Sequence, residues 1–263
     1  MTEGFDVDHY GDGAWYDAEY VHIGGDIPYY TRVAAETSGS ILELACGTGR
    51  LAFPMASAGR TVLGVDLAPA MIARAKEKRA LLPAEEQERL HFVVGDLRDF
   101  RAGQTFAAVV LGFNTLMHMT SDADLEAALL TARVHLQPGG LFHLDVYTPL
   151  FDYLNRSPEQ RYDPQEMIDP KGHRYIVTEN NRYDPRTQLN TVYFYYQRVD
   201  REGRAIGPEL RTVLQLRVIF PRELDRWLDL AGFEIIGDWD DLERRHAFSA
   251  RSGRRVVMAR RRG

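Results

Sequence analysis

Glu43-Leu44-Ala45-Cys46-Gly47-Thr48-Gly49 joins a short apolar strand, Ile41 to Ala45, to a turn built on two glycines. A helix reads onward from Arg50 to Ala58 and stops at Gly59, the position just past a helix end where glycine belongs. Glycines at such a strand-to-helix turn let the backbone bend sharply and approach a ligand with no Cβ in the way. The helix start also offers unpaired amides to an anionic group. A lone Gly-x-Gly is a weak signal, so its weight depends on what surrounds it.

Downstream the pattern repeats. Thr61 to Val65 reads as a second strand, with Asp66 at its end and Pro69 starting a helix at its first turn. Leu90 to Val94 is a third strand running into Gly95-Asp96, and Phe106 to Leu111 is a fourth, apolar throughout as a strand buried on both faces should be. Asp122 to Leu136 is expected to be a helix closed by Pro138-Gly139-Gly140, followed by a fifth strand, Leu141 to Val146. Strands alternating with helices at this spacing imply a parallel sheet with right-handed crossovers. Residues 40–148 are therefore expected to form a core that binds a ligand at the strand ends.

Residues 1–39 read as a loop and helical lid segment carrying Tyr16, Tyr20, Tyr29 and Tyr30. From His173 to Phe220 the helices disappear, and three strand-like runs follow: His173 to Arg182, Gln188 to Val199 and Leu210 to Phe220. They are expected to form an antiparallel cap, residues 149–220, inserted after the fifth strand. Within it Tyr193 and Tyr195 fall on one face, Phe194 and Tyr196 on the other. Residues 221–263 complete the core with a helix, Pro221 to Ala231, and a strand pair, Phe233 to Trp239 and Arg255 to Ala259.

Composition narrows the function. The chain has 263 residues, 44% of them hydrophobic, which is enough for a proper core. A net charge of −6 leaves no cationic surplus to neutralise a phosphate backbone, so no nucleic-acid partner is expected. Cys46, the single cysteine, excludes an intramolecular disulfide and is read as a packed residue. The histidines show no metal-ligand spacing, so no metal is implied. No apolar stretch approaches a membrane span, and Met1-Thr-Glu-Gly-Phe-Asp6 is acidic where a signal peptide is basic. The expectation is a cytoplasmic protein without a membrane partner.

Asp66 can accept both hydroxyl protons of a ribose, and Asp96-Leu97 can read an adenine edge with a side chain and an amide. Two cofactor classes fit such a crevice. A nicotinamide dinucleotide is supported by Gly47-x-Gly49-x-x-Ala52, with Asp66 19 residues beyond Gly47. Against it stand the acidic Glu43 inside the first strand, the absence of any Tyr-x-x-x-Lys pair, the residues before the first strand, and the closing strand pair. The other class is S-adenosylmethionine. Asp66 and Asp96 also have plainer readings as caps of the turns that follow them.

The chain resembles the class I S-adenosylmethionine-dependent methyltransferases along nearly its whole length. Their Asp/Glu-x-Gly-x-Gly-x-Gly reads here as Glu43-x-Ala45-x-Gly47-x-Gly49, with alanine in place of the first glycine. The resemblance implies a Rossmann-like, doubly wound, mostly parallel seven-stranded sheet with an antiparallel last strand, plus the inserted cap. It implies S-adenosyl-L-methionine as cofactor and S-adenosyl-L-homocysteine as product. Asp66 would hold the ribose, Leu67 the adenine face, and Asp96 and Leu97 the adenine amino edge. Thr48 and Met71 join the cofactor set, and Leu111, Phe113 and Asn114 lie beside the methionine part. Trp15-Tyr16-Asp17-x-x-Tyr20 resembles the aromatic lead-in of small-molecule members, whose tyrosines close over the sulfonium, so Tyr16 and Tyr20 are assigned there. Arg32 is a partner for the methionine carboxylate.

His118 lies in a loop that faces the cofactor in this family, and with Tyr16 it is the catalytic candidate. Tyr147, Tyr193 and Tyr195 are the substrate candidates. The sequence lacks the Asn-Pro-Pro-aromatic run of enzymes acting on DNA bases, which directs the reading to a small-molecule acceptor, through nitrogen. Transfer to oxygen, a non-catalytic cofactor-binding protein and, last, an NAD-dependent oxidoreductase are the alternatives. A homodimer through the cap is a further way to bury its second face.

Overall fold

The computed structural model describes residues 5–6, 8–249 and 252–263. In chain order its elements begin with strand β1 (Phe5–Asp6), helices α1 (Gly13–Glu19) and α2 (Ile27–Glu36), β2 (Ile41–Leu44), α3 (Ala52–Ser57) and β3 (Val62–Asp66). Next come α4 (Pro69–Ala80), α5 (Ala84–Gln87), β4 (Leu90–Val94), β5 (Phe106–Leu111), a 3-10 turn (Thr115–His118), α6 (Asp122–His135) and β6 (Leu136–Tyr147). The remainder is α7 (Phe151–Leu154), β7 (Tyr162–Ile168), β8 (Arg174–Asp184), β9 (Leu189–Val199), β10 (Leu210–Arg217), α8 (Pro221–Leu230), β11 (Phe233–Trp239) and β12 (Arg254–Arg261). They gather into two compact units. Gly24–Pro149 and Ile219–Gly263 make the core unit, and the stretch ending at Ile23 joins Leu150–Val218 in a sheet unit. The expected single segment 1–39 is thus divided, α1 going with one unit and α2 with the other.

The core unit holds a seven-stranded sheet in the order β11-β12-β6-β5-β2-β3-β4. β2 to β6 run parallel, and β12 is antiparallel to both of its neighbours. The seven-stranded, mostly parallel architecture expected from the sequence is the one observed. β2 sits between β3 and β5, and the chain winds outward from it in both directions. That places a crevice outside the carboxyl end of β2, where the winding reverses. All four residues of β2 are buried, which suits a strand covered by helices on both faces. Ser121 caps α6 by accepting the Asp124 N–H at 3.1 Å, and Arg133 lies in its last turn, where the helix dipole favours cations.

Most boundaries shift by one to three residues, and the largest difference is at the start of the fifth core strand. β6 starts at Leu136, directly after α6, so Pro138-Gly139-Gly140 lies inside the strand rather than closing the helix. The register against β5 jumps from Phe106–Leu136 to Ala108–Leu141, so these residues bulge outward, with Gly139 at φ 74°.

The sheet unit is a meander in the order β1-β10-β9-β8-β7, antiparallel except where β1 runs parallel to β10. Its core is Met167, Tyr175 and Tyr196, against which Trp15 of α1 packs. Asp12 starts α1 by accepting the Ala14 and Trp15 N–H groups at 2.9 and 3.1 Å. β7 was not expected. It is a largely exposed edge strand without apolar alternation, and Pro164 sits beside a register shift, where an edge tolerates proline.

Candidate functional site

In the core unit the turn after β2 is left-handed at every second residue: Ala45 and Gly47 each have φ 55° and Gly49 has φ 84°. A Cβ on Gly49 would meet the Phe53 ring at 2.7 Å, so position 49 needs glycine for space as well as conformation. The Cys46 N–H donates to the Val65 carbonyl, and the Gly47 N–H donates to Asp66 Oδ2 at 2.7 Å. Asp66 Oδ1 accepts the Ala68 N–H at 2.9 Å. Burial raises the Asp66 pKa, with these two amides opposing the rise. A carboxylate has about four acceptor positions, so two remain for an incoming diol. Asp66 thus combines the turn-capping role with the geometry of a ribose acceptor.

Glu43, inside β2, is 3% exposed, and burial pushes its pKa well up, with Arg50 pulling the other way. Its Oε2 has no hydrogen-bond partner among the described residues, and neither has Asn114 Oδ1 after β5. Arg50 forms a bidentate pair with Asp26 at 2.6 and 2.7 Å, and its guanidinium lies 4.6 Å from the centre of the Phe113 ring. Phe113 and Asn114 are both left-handed, at φ 56° and 61°. A buried carboxylate holds that bend: Asp145 Oδ1 accepts the Phe113 N–H at 2.8 Å and the Tyr30 hydroxyl at 2.5 Å, and Oδ2 accepts from Arg254 at 2.7 Å. Sequence reasoning missed Asp26, Arg50, Asp145 and Arg254. The available signal was a lone carboxylate, Asp145, in the apolar strand Leu141 to Val146.

Other candidates fall in varied settings. Leu67 is 61% exposed, presenting an apolar face beside Asp66. Asp96 accepts the Arg98 N–H at 2.9 Å and pairs with its guanidinium, which lowers the Asp96 pKa, while Arg98 also bonds Asp124. Leu97 and Leu111 are buried, as is Thr48, whose hydroxyl accepts from Lys78 at 3.1 Å. Cys46 is buried and burial pushes its thiol up, as a packed residue requires. His118 ends the 3-10 turn, and burial lowers its pKa to about 4. Tyr147 is half-exposed, with the Arg254 guanidinium 5.1 Å from its ring centre. One assignment changes. Met71 is fully buried on the inner face of α4, with no surface for a ligand. The Arg32 guanidinium donates to the Leu242 carbonyl at 2.9 Å through one nitrogen, while its Nε has no hydrogen-bond partner among the described residues. Asp240, Asp241 and His246 bring ligand atoms within 4.8 Å of one another, a grouping the histidine spacing did not suggest.

In the sheet unit Tyr16 and Tyr20 pack together, ring centres 4.6 Å apart, and the Tyr20 hydroxyl is 3.0 Å from His9 Nε2. Tyr193 and Tyr195 share the face opposite Tyr196 and stack at 6.5 Å. Arg161 lies 3.0 Å from the Tyr195 ring centre and Arg211 5.7 Å from that of Tyr193.

The sheet order, the glycine turn and the acidic residue at the end of the next strand together define the class I methyltransferase fold. Residues 41–140 match the family described as a methyltransferase domain. The chain is 32% identical over 141 residues to a dTDP-3-amino-3,6-dideoxy-alpha-D-glucopyranose N,N-dimethyltransferase of Streptomyces fradiae, covering 54% of this chain and 51% of that protein. It spans about half the length of the curated relatives it matches. Among solved structures, the CcbJ methyltransferase from Streptomyces caelestis superposes with a TM-score of 0.75 at 25% identity, over 98% of this chain and 100% of the other. CalS10, an amino pentose methyltransferase from Micromonospora echinaspora solved with S-adenosylmethionine bound, gives 0.71 at 22% identity over 99% and 100%. Among the described residues no helix is long and apolar enough to cross a membrane.

Proposed function

We propose that the chain is a cytoplasmic S-adenosylmethionine-dependent methyltransferase that methylates a nitrogen of a small molecule. The observation that carries the reading is a pair of buried acceptors, Glu43 Oε2 and Asn114 Oδ1, that have no donor among the described residues, beside a glycine turn whose Asp66 keeps free lone pairs. Two unsatisfied acceptors call for a group that brings N–H donors, and a neighbouring carboxylate with spare capacity calls for hydroxyls. An amino-acid ammonium and a ribose diol on one ligand meet both needs. The curated relatives that methylate amino sugars support a nitrogen acceptor.

When bound, the cofactor supplies a sulfonium-borne methyl for in-line displacement. The protein's work is positioning and exclusion of water. Asp66 holds the ribose, Leu67 covers the adenine, and Asp96 and Leu97 meet its edge. Glu43 and Asn114 accept from the amino-acid end, and Thr48, Leu111 and Phe113 shape the walls. His118, neutral at pH 7, acts by orienting the nucleophile through a hydrogen bond rather than by carrying a charge. We assign Tyr16 and Tyr20 to the cofactor and Tyr147, Tyr193 and Tyr195 to the acceptor, with a homodimer through the sheet unit and no nucleic-acid partner. Calorimetry with S-adenosylhomocysteine and with NAD tests the cofactor, and a panel of small amines and their hydroxyl counterparts tests the acceptor. Binding of NAD without S-adenosylhomocysteine, or transfer to the hydroxyl compounds alone, would reject the reading.

A further inference from the structure

Glu19, the last residue of α1, is a carboxylate set among aromatic rings. Its Oε1 accepts the Tyr196 hydroxyl at 2.8 Å. Its Oε2 is shielded from solvent and has no hydrogen-bond partner among the described residues. From Tyr196 the polar groups continue as a chain: the Tyr196 hydroxyl is 3.4 Å from Thr212 Oγ1, which is 3.4 Å from His9 Nδ1, while His9 Nε2 is 3.0 Å from the Tyr20 hydroxyl. Around this chain stand rings. Trp15 meets Tyr196 edge-on at 5.6 Å, His9 stacks on Phe194 at 5.9 Å, and Tyr16 packs on Tyr20.

A carboxylate removed from water costs several kcal/mol unless a cation or several donors compensate it. Among the described residues Glu19 has one donor and no basic side chain bonded to it. Burial accordingly raises its pKa to about 7, with the Tyr196 hydrogen bond opposing the rise. What is missing is a positive group that also donates a hydrogen bond to Oε2. Ring faces favour the same charge through their quadrupoles and give apolar contact to alkyl substituents. A sulfonium supplies the charge but no N–H, so it leaves Oε2 unsatisfied. An alkylammonium supplies both.

We propose that Glu19, with Tyr196, Trp15 and His9, forms a binding site for an organic ammonium group bearing at least one N–H. Binding is a property of the sheet unit alone.

The test is a carboxyl-carbon NMR titration of the full chain, with the Glu19 Cδ resonance assigned and the sample held at about pH 8, above the raised pKa. Dimethylammonium chloride is expected to move that resonance saturably. Sodium chloride at equal ionic strength and trimethylsulfonium chloride are expected to move it little. In Glu19→Gln, the dimethylammonium response of the Tyr20 and Tyr196 ring signals should weaken at least tenfold. No saturable shift with dimethylammonium, or an equal one with trimethylsulfonium, overturns the proposal, and these wild-type arms decide it even where Glu19→Gln does not fold. Calorimetry with S-adenosylhomocysteine on the same sample separates the two readings. Cofactor binding without an ammonium response rejects only this inference, and an ammonium response without cofactor binding rejects only the function.

Discussion

The amide of Gly47 and the carboxylate of Asp66 are bonded at 2.7 Å, across the ends of two neighbouring strands. Glycine turn and acidic residue are therefore one structure: the group proposed to bind ribose also sets the shape of the turn. Asp66→Asn keeps the size but offers one acceptor oxygen to two amides and a diol. We expect S-adenosylhomocysteine affinity to fall by roughly ten- to a hundredfold, about 1.4–2.8 kcal/mol, measured by calorimetry. An unchanged affinity would show that the carboxylate serves the turn alone.

Ala45 occupies the left-handed region at φ 55°, in the place of the first glycine of the motif. A side chain there costs about 1–2 kcal/mol, and glycine returns part of the gain through its larger unfolded-state entropy, about 0.5–1 kcal/mol. Ala45→Gly should therefore stabilise the core unit by about 0.5 kcal/mol in denaturant unfolding. A destabilised variant would mean that the Ala45 methyl packs usefully.

Asp145 is fully buried and takes three donors, from Tyr30, Phe113 and Arg254. Asp145→Asn leaves Arg254 without its counter-charge and turns an acceptor into a donor facing donors. The expected loss is about 3–5 kcal/mol of stability, whereas Tyr30→Phe, which removes one hydroxyl, should cost about 1–2 kcal/mol. Urea midpoints of the two variants check the ranking.

Burial lowers His143 to about pH 3 from its ordinary value, and its Nδ1 lies 3.2 Å from the Tyr29 hydroxyl. Between roughly pH 6.5 and the folded value the unfolded chain binds a proton there that the folded one does not. This group's contribution therefore falls on acidification through that window, by up to about 1.4 kcal/mol per pH unit. Buried acids such as Glu43, whose pKa is raised, tilt the total the other way above the ordinary carboxylate range. The informative quantity is thus the difference between His143→Gln and the parent in urea unfolding at pH 7, 6 and 5. The variant should show the shallower acid loss, and equal slopes would contradict a buried neutral His143.

The parallel core was legible because its strands carry their own signals: apolar runs such as Phe106 to Leu111, a glycine after each turn and Pro69 at a helix start. Phe233–Trp239 falls where the sequence put it. β7 was hidden, since an exposed edge strand needs no apolar alternation. Within the candidate site, Gly47 and Gly49 were readable because a left-handed backbone dictates the residue type, and Asp66 because it ends the strand beside them. Arg50, Asp26 and Asp145 were not, because their roles come from partners up to 115 residues away, as with Tyr30 and Asp145. The Arg32–Leu242 hydrogen bond was hidden for the same reason: an arginine's length lets tertiary context choose its acceptor.

The parallel pairing of β1 with β10 joins Phe5 to Leu210. During synthesis the strands β2 to β5 can close on one another soon after they emerge, since their connections are short. The segment from Phe5 to Ile23 has no sheet to join until some two hundred residues later, and closing so long a loop is entropically slow. Trp15, Tyr16 and Tyr20 therefore spend that interval as exposed aromatics, and a chaperone holding this early segment would cover rings whose partners do not yet exist.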